Sequence, residues 1–533
     1  MRILLLFLSF STFGQNLKIE YETFFNDKPT GRPLYAYAQP EKTYLTTERV
    51  GGEQTLYTAK SKTITYITPL GEGKTIGGTD TLKYKYTFAE DRKEILGYTC
   101  QKAVSIVNSN TIEIWFTNAL PYYVAPSAIG IELGAVLEVV RNGNQVTRAK
   151  NIEKTSSFPS LPTYTSHDIL TYRDVLWKNR FTALTVLDHE LINWNEETKA
   201  KEGVTRFANG TLLVKKVKFP TIGFDTQVFV ELKQRSNGDA YDRTGSVFII
   251  PESNALNFFE GLQNGLDKIP QLTSKDGEVY QGYHLTNNYL PNVELMRFFT
   301  SFGINHYNYN AIKGKEWLDH TSFRQEISEL RSLFSDKEIY VGTYIGNYDK
   351  GGHEVSLEIT LHKGENAYHR FDFALPLFNT VNVMEMGGQN YSTLFKDENG
   401  LNVEFTLEND IKDAQLRYIT TGHGGWGNGD EFLPKKNTIY LDNFVVHSFT
   451  PWRQDCGSYR LSNPVSGNFA SGLSSSDLSR SNWCPATVTN PVYIELGDLK
   501  AGKHSIRVKI PQGQREGSSF SFWNVSGVLL GKK

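Results

Sequence analysis

The sequence has no excess of positive charge. Its 56 Lys and Arg stand against 58 Asp and Glu, a formal net charge of -2. There is thus no basic field to draw in phosphates, which argues against a nucleic-acid partner. Past the first residues, no apolar run approaches the length of a membrane-spanning helix. No compact His, Cys and acid grouping has metal-ligand spacing. His189-Glu190-Leu191-Ile192-Asn193 looks like the start of a zinc-protease helix, but the second imidazole on the same face is missing. No metal and no cofactor are therefore expected. Cysteine is scarce and odd in number, at 3. In an exported chain that arithmetic suggests one disulfide and one buried thiol. Cys456 and Cys484 flank a Ser/Gly/Asn-rich stretch with little else to hold it and are the expected pair. Cys100 lies far away in a strand-like context.

Aromatics and glycine are plentiful: 13% aromatic residues, with 28 Tyr, 32 Phe and 45 Gly. Tyr and Phe favour half-buried pleated surfaces, and aromatic faces also stack on sugar C–H groups. Residues 1–15 combine a charged start, an apolar run from Ile3 to Phe13 and a small or polar ending, the pattern of a secretory signal peptide. No cysteine stands near the cleavage region, so no lipid anchor is expected. The mature chain is expected to be secreted or periplasmic, with no membrane association once the signal is removed.

Short alternating segments such as Thr111-Ile112-Glu113-Ile114-Trp115-Phe116 predict a β-rich accessory domain over 16–153. Its strands around Gly97-Tyr98, Ile114-Trp115-Phe116 and Ile131 to Leu137 resemble the GLPGLI family of exported bacterial proteins, which implies only an all-β module. Residues 154–203 read as a linker with possible short helices. Strands follow at Leu212 to Glu231, Gly245 to Pro251, Glu338 to Tyr344 and His353 to His362. Ser322 to Phe334, with capping-box spacing and an apolar stripe of Phe323, Ile327, Leu330 and Phe334, predicts a helix. More strands run from Tyr368 to the end, including Thr438 to His447 and His504 to Ile510. Many short strands without long helices between them argue for sandwiches.

Three stretches could carry chemistry. Gly238-Asp239-Ala240-Tyr241-Asp242-Arg243 sets an acid beside an arginine at a strand mouth, where the cation would keep the carboxylate ionised; an ordinary Asx turn with a surface ion pair reads the same way. Ile419 to Phe432 packs glycines around His423, Trp426 and the pair Asp430-Glu431, as a shaped pocket edge or as a long solvated loop. Asp477 to Pro485 places Arg480 and Trp483 beside Cys484.

Together these stretches resemble the peptide-N-glycosidase F family from about Val204 to the end. The resemblance rests on Tyr241-Asp242-Arg243, on Glu431 ahead of Asn437-Thr438-Ile439, and on Arg480, Trp483, Cys484-Pro485 with Cys456 upstream. It implies an all-β fold of two adjacent antiparallel jelly-roll β-sandwiches, here 204–372 and 373–533, preceded by the extra β-rich domain. It also implies an amidase that cuts the Asn–GlcNAc bond of N-linked glycoproteins or glycopeptides, acting as a monomer. Asp242 would be the base and Glu431 the second catalytic acid. Arg243, Arg480, Trp426, Trp483, His423, Tyr241 and Tyr344 would bind substrate. Gly342 stands where the family has a third acid, a role that a water or Asp349 would have to fill. That departure motivates an alternative, a glycan-binding or surface protein on the same scaffold without turnover. A copper monooxygenase, with similar paired jelly rolls, would need methionine and histidine ligands; the chain has 4 Met and no His-His pair.

Overall fold

The computed structural model describes residues 16–533 apart from 48–51, 72, 253–255, 309–311, 365, 368–369, 398–399, 425–427, 468–471 and 516–518. The expected signal peptide and Trp426 lie outside the described residues. The chain divides into two compact units, the first ending at Arg180 and the second spanning Phe181–Lys533. No helix among the described residues is long and apolar enough to cross a membrane.

The first unit is built on a 12-stranded sheet. Its pairings are antiparallel except where Thr165–Asp168 runs parallel to Lys74–Thr81. In Asn16–Phe25 the side chains of Leu17, Ile19 and Tyr21 are buried, while Lys18 and Glu20 between them are partly exposed, the period of a one-sided strand. One helix, Ile169–Lys178, is capped by Asp168, whose carboxylate accepts the Leu170 and Thr171 N–H groups. Cys100 is a buried free thiol, and burial pushes its pKa up to about 11.

The second unit holds two sandwiches. In the first, the strands Thr182–Ile192, His353–Lys363, Thr226–Ser236 and Thr321–Glu326 form one sheet in that order. Facing it across a shared apolar core lie Val204–Phe207, Leu212–Lys218, Glu338–Ile345, Thr244–Ile250, Val293–Phe299 and Val488–Thr489. The second sandwich pairs the sheet Phe373–Asn379, Phe522–Lys532, Ile411–His423, Val492–Leu499 with the sheet Leu401–Leu407, Gly502–Lys509, Asn437–Leu441, Phe444–Phe449. The fold is all-β, as expected.

Several local expectations are corrected. Ser322 to Phe334 is not an α-helix. Thr321–Glu326 pairs with Phe229–Gln234 as a strand, and Ser328–Leu333 is a 3-10 turn. Ser322, the expected cap, sits within the strand opposite Lys233, and Ser328 Oγ accepts the Val228 N–H at 2.8 Å, so cross-sheet partners override the local pattern. The apolar spacing misled because Phe323, Ile327, Leu330 and Phe334 are all buried, but from a strand and the 3-10 turn that follows it instead of from one helical face. The stretch expected as linker contains Thr182–Ile192, a strand of the first sandwich, so that sandwich begins well before Val204. Thr438 to His447 is a hairpin that turns at Asp442 and Asn443, both at positive φ.

The two sandwiches are joined in two ways. Val488–Thr489, which follows the disulfide segment in sequence, pairs with Arg297 and Phe298 and so completes the first sandwich's sheet. Beside it lies a buried ionic network. Arg297 donates to both Glu294 oxygens (3.0 and 2.7 Å), to Thr421 Oγ1 (3.0 Å) and to Asn524 O (2.6 Å). Ser526 Oγ donates to Glu294 Oε2 at 2.6 Å. Arg417 donates to Glu329 Oε1 at 2.7 Å and to the carbonyls of Glu294 and Leu295. Each cation comes from one sandwich and finds acceptors on both or on the other. Removing one member of such a pair strands a desolvated charge. Glu294→Ala should therefore destabilise the second unit by about 3–5 kcal/mol, read as a lower unfolding midpoint; an unchanged midpoint would show that Arg297 is held without it.

Candidate active site

Four loops of the first sandwich meet at one end. Residues 237–243 connect Thr226–Ser236 to Thr244–Ile250, and residues 346–352 connect Glu338–Ile345 to His353–Lys363. Asn237 N–H donates to Gly352 O at 2.8 Å, and Asn193, beyond Thr182–Ile192, donates through Nδ2 to Lys350 O at 2.6 Å. From the fourth loop, Thr300 Oγ1 accepts the Arg243 N–H at 2.8 Å and Gly303 N–H reaches Ala240 O at 3.0 Å. The Asp242 backbone is thus held from several sides.

Asp239 organises this loop. It is buried and accepts Arg243 Nε at 2.6 Å and Nη2 at 3.0 Å, a two-pronged pairing. His353 Nε2 lies 3.3 Å from Asp239 Oδ2, and Gln234 Nε2 donates to His353 Nδ1 at 2.9 Å, which leaves the histidine proton on Nε2, facing the acid. Burial alone would raise the Asp239 pKa, but His353 and Arg243 outweigh it and hold the carboxyl well below the usual range. Arg243, expected to pair with Asp242, is thus committed chiefly to Asp239. It still carries positive charge next to Asp242. Tyr241 is exposed and lies against the Arg243 guanidinium, 5.3 Å from ring centre to carbon.

From the second sandwich come Glu431 and Arg480. The neighbouring Asp430 anchors the loop: its carboxylate is fully buried and accepts Gly513 N–H and Trp523 Nε1 (2.8 Å to the latter). The Arg480 segment is tied down by the Cys456–Cys484 disulfide and by reciprocal backbone bonds between Arg453 and Arg480. The Arg480 guanidinium lies over the Trp483 ring at 4.3 Å and the Phe432 ring at 5.1 Å. Its Nη1 contacts Glu431 Oε1, its Nη2 donates to Ser475 O at 2.7 Å, and Nη2 also lies 3.3 Å from Asp242 Oδ2.

The structure thus brings Asp242, Glu431 and Arg480 together, with one guanidinium between two carboxylates of different sandwiches. Asp242 Oδ2 is buried and, apart from this ion pair with Arg480, has no hydrogen-bond donor among the described residues. Burial raises the Asp242 pKa, against the opposing pull of Arg480 and Arg243. Burial also raises Glu431, to about 7, with Arg480 opposing and the Asp242 charge adding to the rise.

Other expected site residues take different places. Trp483 is buried, stacks on Phe299 at 4.3 Å and donates Nε1–H to Gly422 O at 3.0 Å, so it supports Arg480 from below instead of facing a sugar. His423 is likewise buried, between Phe299 and Phe522. Burial, Arg297 and Arg480 push its pKa well down, so it is a neutral core histidine 2.7 Å from Thr421 Oγ1. Tyr344 packs in the core and sends its hydroxyl to Glu385 Oε2 at 3.2 Å. Gly342 lies in mid-strand, where a Cβ would meet the Phe248 ring at 2.3 Å, so a side chain there would require that ring to move. Asp349 spends Oδ1 on the Gly351 and Gly352 N–H groups. The glycines of the Gly-rich stretch also serve packing: a Cβ at Gly422 would strike Trp523, and one at Gly424 would lie 2.0 Å from Phe520 O. Sequence reasoning missed the positioning role of Asp239 and His353. The Asp239/Arg243 spacing of four was visible, but the distant His353 gave no local sign.

Comparison with known proteins matches all three regions. Residues 183–361 match the family model for peptide-N-glycosidase F, N terminal, and residues 390–530 the C-terminal one. Residues 19–174 match the N-glycanase peptide N-terminal domain, where the strand pattern had suggested the GLPGLI family. Two solved structures of PNGF-II, in space groups C2 and P21, are 49% identical with a TM-score of 0.91, over 97% of this chain and 98% and 99% of theirs. PNGase F, a glycosylasparaginase from Flavobacterium meningosepticum, is 16% identical with a TM-score of 0.42, over 66% of this chain and 96% of its own. No curated protein sequence matches. With nearly half its residues identical to PNGF-II along almost its whole length, and both N-glycanase halves matched in order, the chain belongs to the peptide-N-glycosidase F family.

Proposed function

We propose that this protein is an exported amidase that hydrolyses the bond between asparagine and N-acetylglucosamine in N-linked glycoproteins and glycopeptides, acting as a monomer. The observation that carries the reading is the pair Asp242 and Glu431 on either side of the Arg480 guanidinium. Amide hydrolysis needs a base for water and an acid for nitrogen, and two carboxyls held in different states supply both. Burial raises the Asp242 carboxyl, and Arg480 and Arg243 oppose that rise by favouring its ionised form. Glu431, raised to about 7, keeps its proton near neutral pH.

Asp242 accepts a proton from water as the oxygen adds to the amide carbon. The resulting tetrahedral centre collapses as the carbon–nitrogen bond breaks, with the nitrogen taking the Glu431 proton. The products are an aspartate side chain and a glycosylamine, which later sheds ammonia. The proton taken by Asp242 returns to solvent, and Glu431 is reprotonated. Arg480, between the acids, donates toward the oxygen on which charge develops. The export part of this reading is supported by the signal-like pattern of residues 1–15.

Incubation with a denatured N-glycopeptide should release a peptide whose mass carries aspartate for asparagine; intact glycopeptide across several glycan types would overturn the amidase reading. Asp242→Asn should abolish release while leaving the unfolding midpoint close to that of the parent. The pH dependence has a definite sign. A raised carboxyl is protonated below its shifted value, so kcat should fall as pH rises through about 7 and Glu431 loses its proton. Glu431→Gln should lower kcat by roughly 10²–10⁴ and flatten that alkaline limb; a limb that persists would assign it to another group.

A further inference from the structure

Outside the three charged groups, the same loop cluster carries solvent-facing aromatic rings that the proposed chemistry leaves unused. Tyr348 is 55% exposed and Trp194 is 42% exposed. Their rings meet edge to face, with centroids 6.3 Å apart. The Arg243 guanidinium lies 5.9 Å from the Tyr348 ring and 5.3 Å from that of Tyr241, itself 54% exposed. A band of aromatic surface therefore runs from the residue next to Asp242 outward through Arg243 and Tyr348 to Trp194.

The band is held rigidly. Trp194 N–H donates to Asp349 O at 3.0 Å, which ties the Trp194 loop directly to the Tyr348 loop. Below it the buried Asn193 donates to Thr198 Oγ1 and Lys350 O and accepts from Arg206 Nη2 at 2.6 Å. Gly352, at φ +58, comes so close that a Cβ would sit 2.3 Å from Ile192 O. Exposed rings with this much buried polar support are preorganised for contact, not left over from packing.

A carboxylate completes the group. Glu385, exposed on the second sandwich, accepts the Tyr348 hydroxyl through Oε1 at 3.2 Å and the Tyr344 hydroxyl through Oε2 at 3.2 Å. This fixes the Tyr348 ring from the far side and leaves acceptor capacity facing solvent. Apolar ring faces beside an anchored carboxylate are the chemistry that recognises a pyranose, whose C–H face stacks while its hydroxyls donate. A peptide backbone, by contrast, would ask for free N–H and C=O groups along a strand edge.

We propose that Trp194, Tyr348 and Glu385 form a carbohydrate subsite that takes a pyranose of the glycan beyond the sugar bonded to asparagine. This rests on the amidase reading for the identity of the glycan, while the binding itself needs no turnover. The subsite works by holding the glycan so that the amide stays beside Asp242.

The test uses the full chain, disulfide intact, in the Asp242→Asn form. Its ligands are a free oligosaccharide of the N-glycan core, ending in its GlcNAc disaccharide, and separately an unglycosylated peptide. Calorimetric titration should show oligosaccharide binding that Trp194→Ala and Tyr348→Ala each weaken by roughly five- to tenfold. Tyr348→Phe keeps the ring, and should weaken it less. Peptide affinity should be unaffected. An oligosaccharide affinity that is immeasurable in the parent, or unchanged in both alanine variants, overturns the subsite, as does a loss confined to the peptide. The amidase reading fails separately: wild-type protein that releases no aspartate-bearing peptide, while oligosaccharide affinity still tracks Trp194 and Tyr348, sinks the chemistry and keeps the subsite.

Discussion

The buried ionic network between the two sandwiches is the constraint on which the rest of the site depends. Arg297 and Arg417 are sealed from water and find their acceptors on both sides of the seam, among them Glu294, Thr421, Asn524 and the carbonyl of Leu295. A desolvated guanidinium tolerates little displacement, because each broken bond leaves an unpaid charge in a low-dielectric interior. A looser apolar seam would let the sandwiches slide by small amounts. Here sliding costs charge, so Asp242 and the pair Glu431 and Arg480 keep their spacing although they belong to different sandwiches.

That spacing explains why the two acids differ. Both are pushed up by burial, and both touch one cation. Asp242 has a second cation beside it in Arg243, which Asp239 and His353 hold in place. Glu431 faces Arg480 and a backbone hydrogen bond at Gly424, and the Asp242 charge adds to its rise as the Asp239 charge does at Asp242. Arg480 and Arg243 both oppose the rise at Asp242, whereas at Glu431 the opposing cation is Arg480, so two carboxyls of similar chemistry meet different fields. Trp483 and Phe432 contribute indirectly: their rings fix the guanidinium plane, so both carboxylates meet it from set directions.

Much of this was legible in the sequence, and the exceptions have physical causes. Alternation identified the strands, and the arithmetic of three cysteines identified the disulfide that the structure contains. Asp242, Glu431 and Arg480 stood out because acids and arginines at strand mouths have few structural duties. The aromatic and histidine expectations failed for Trp483, His423 and Tyr344. An aromatic ring beside a polar motif reads the same whether it faces solvent or supports the motif from the core, and only burial separates the two. The glycines failed similarly, since close approach to a ligand and close approach to Trp523 or Phe520 demand the same missing Cβ. Ser322 to Phe334 failed because strand pairing with Phe229–Gln234 outweighed a local helical pattern. Trp194, Tyr348 and Glu385 gave no sign at all, being brought together from three separate loops.

The short strand Val488–Thr489 has a consequence for how the chain is made. It covers the open side of Val293–Phe299, a strand whose residues are all buried in the finished protein. During synthesis the first sandwich emerges long before residue 488, and until then that edge offers unpaired N–H and C=O groups on an apolar strand. Its closure waits for nearly the last stretch of chain, the one that also carries the disulfide and Arg480. A truncated or stalled product would therefore keep a sticky edge and lack its guanidinium together, so that one late event both seals the sheet and arms the site.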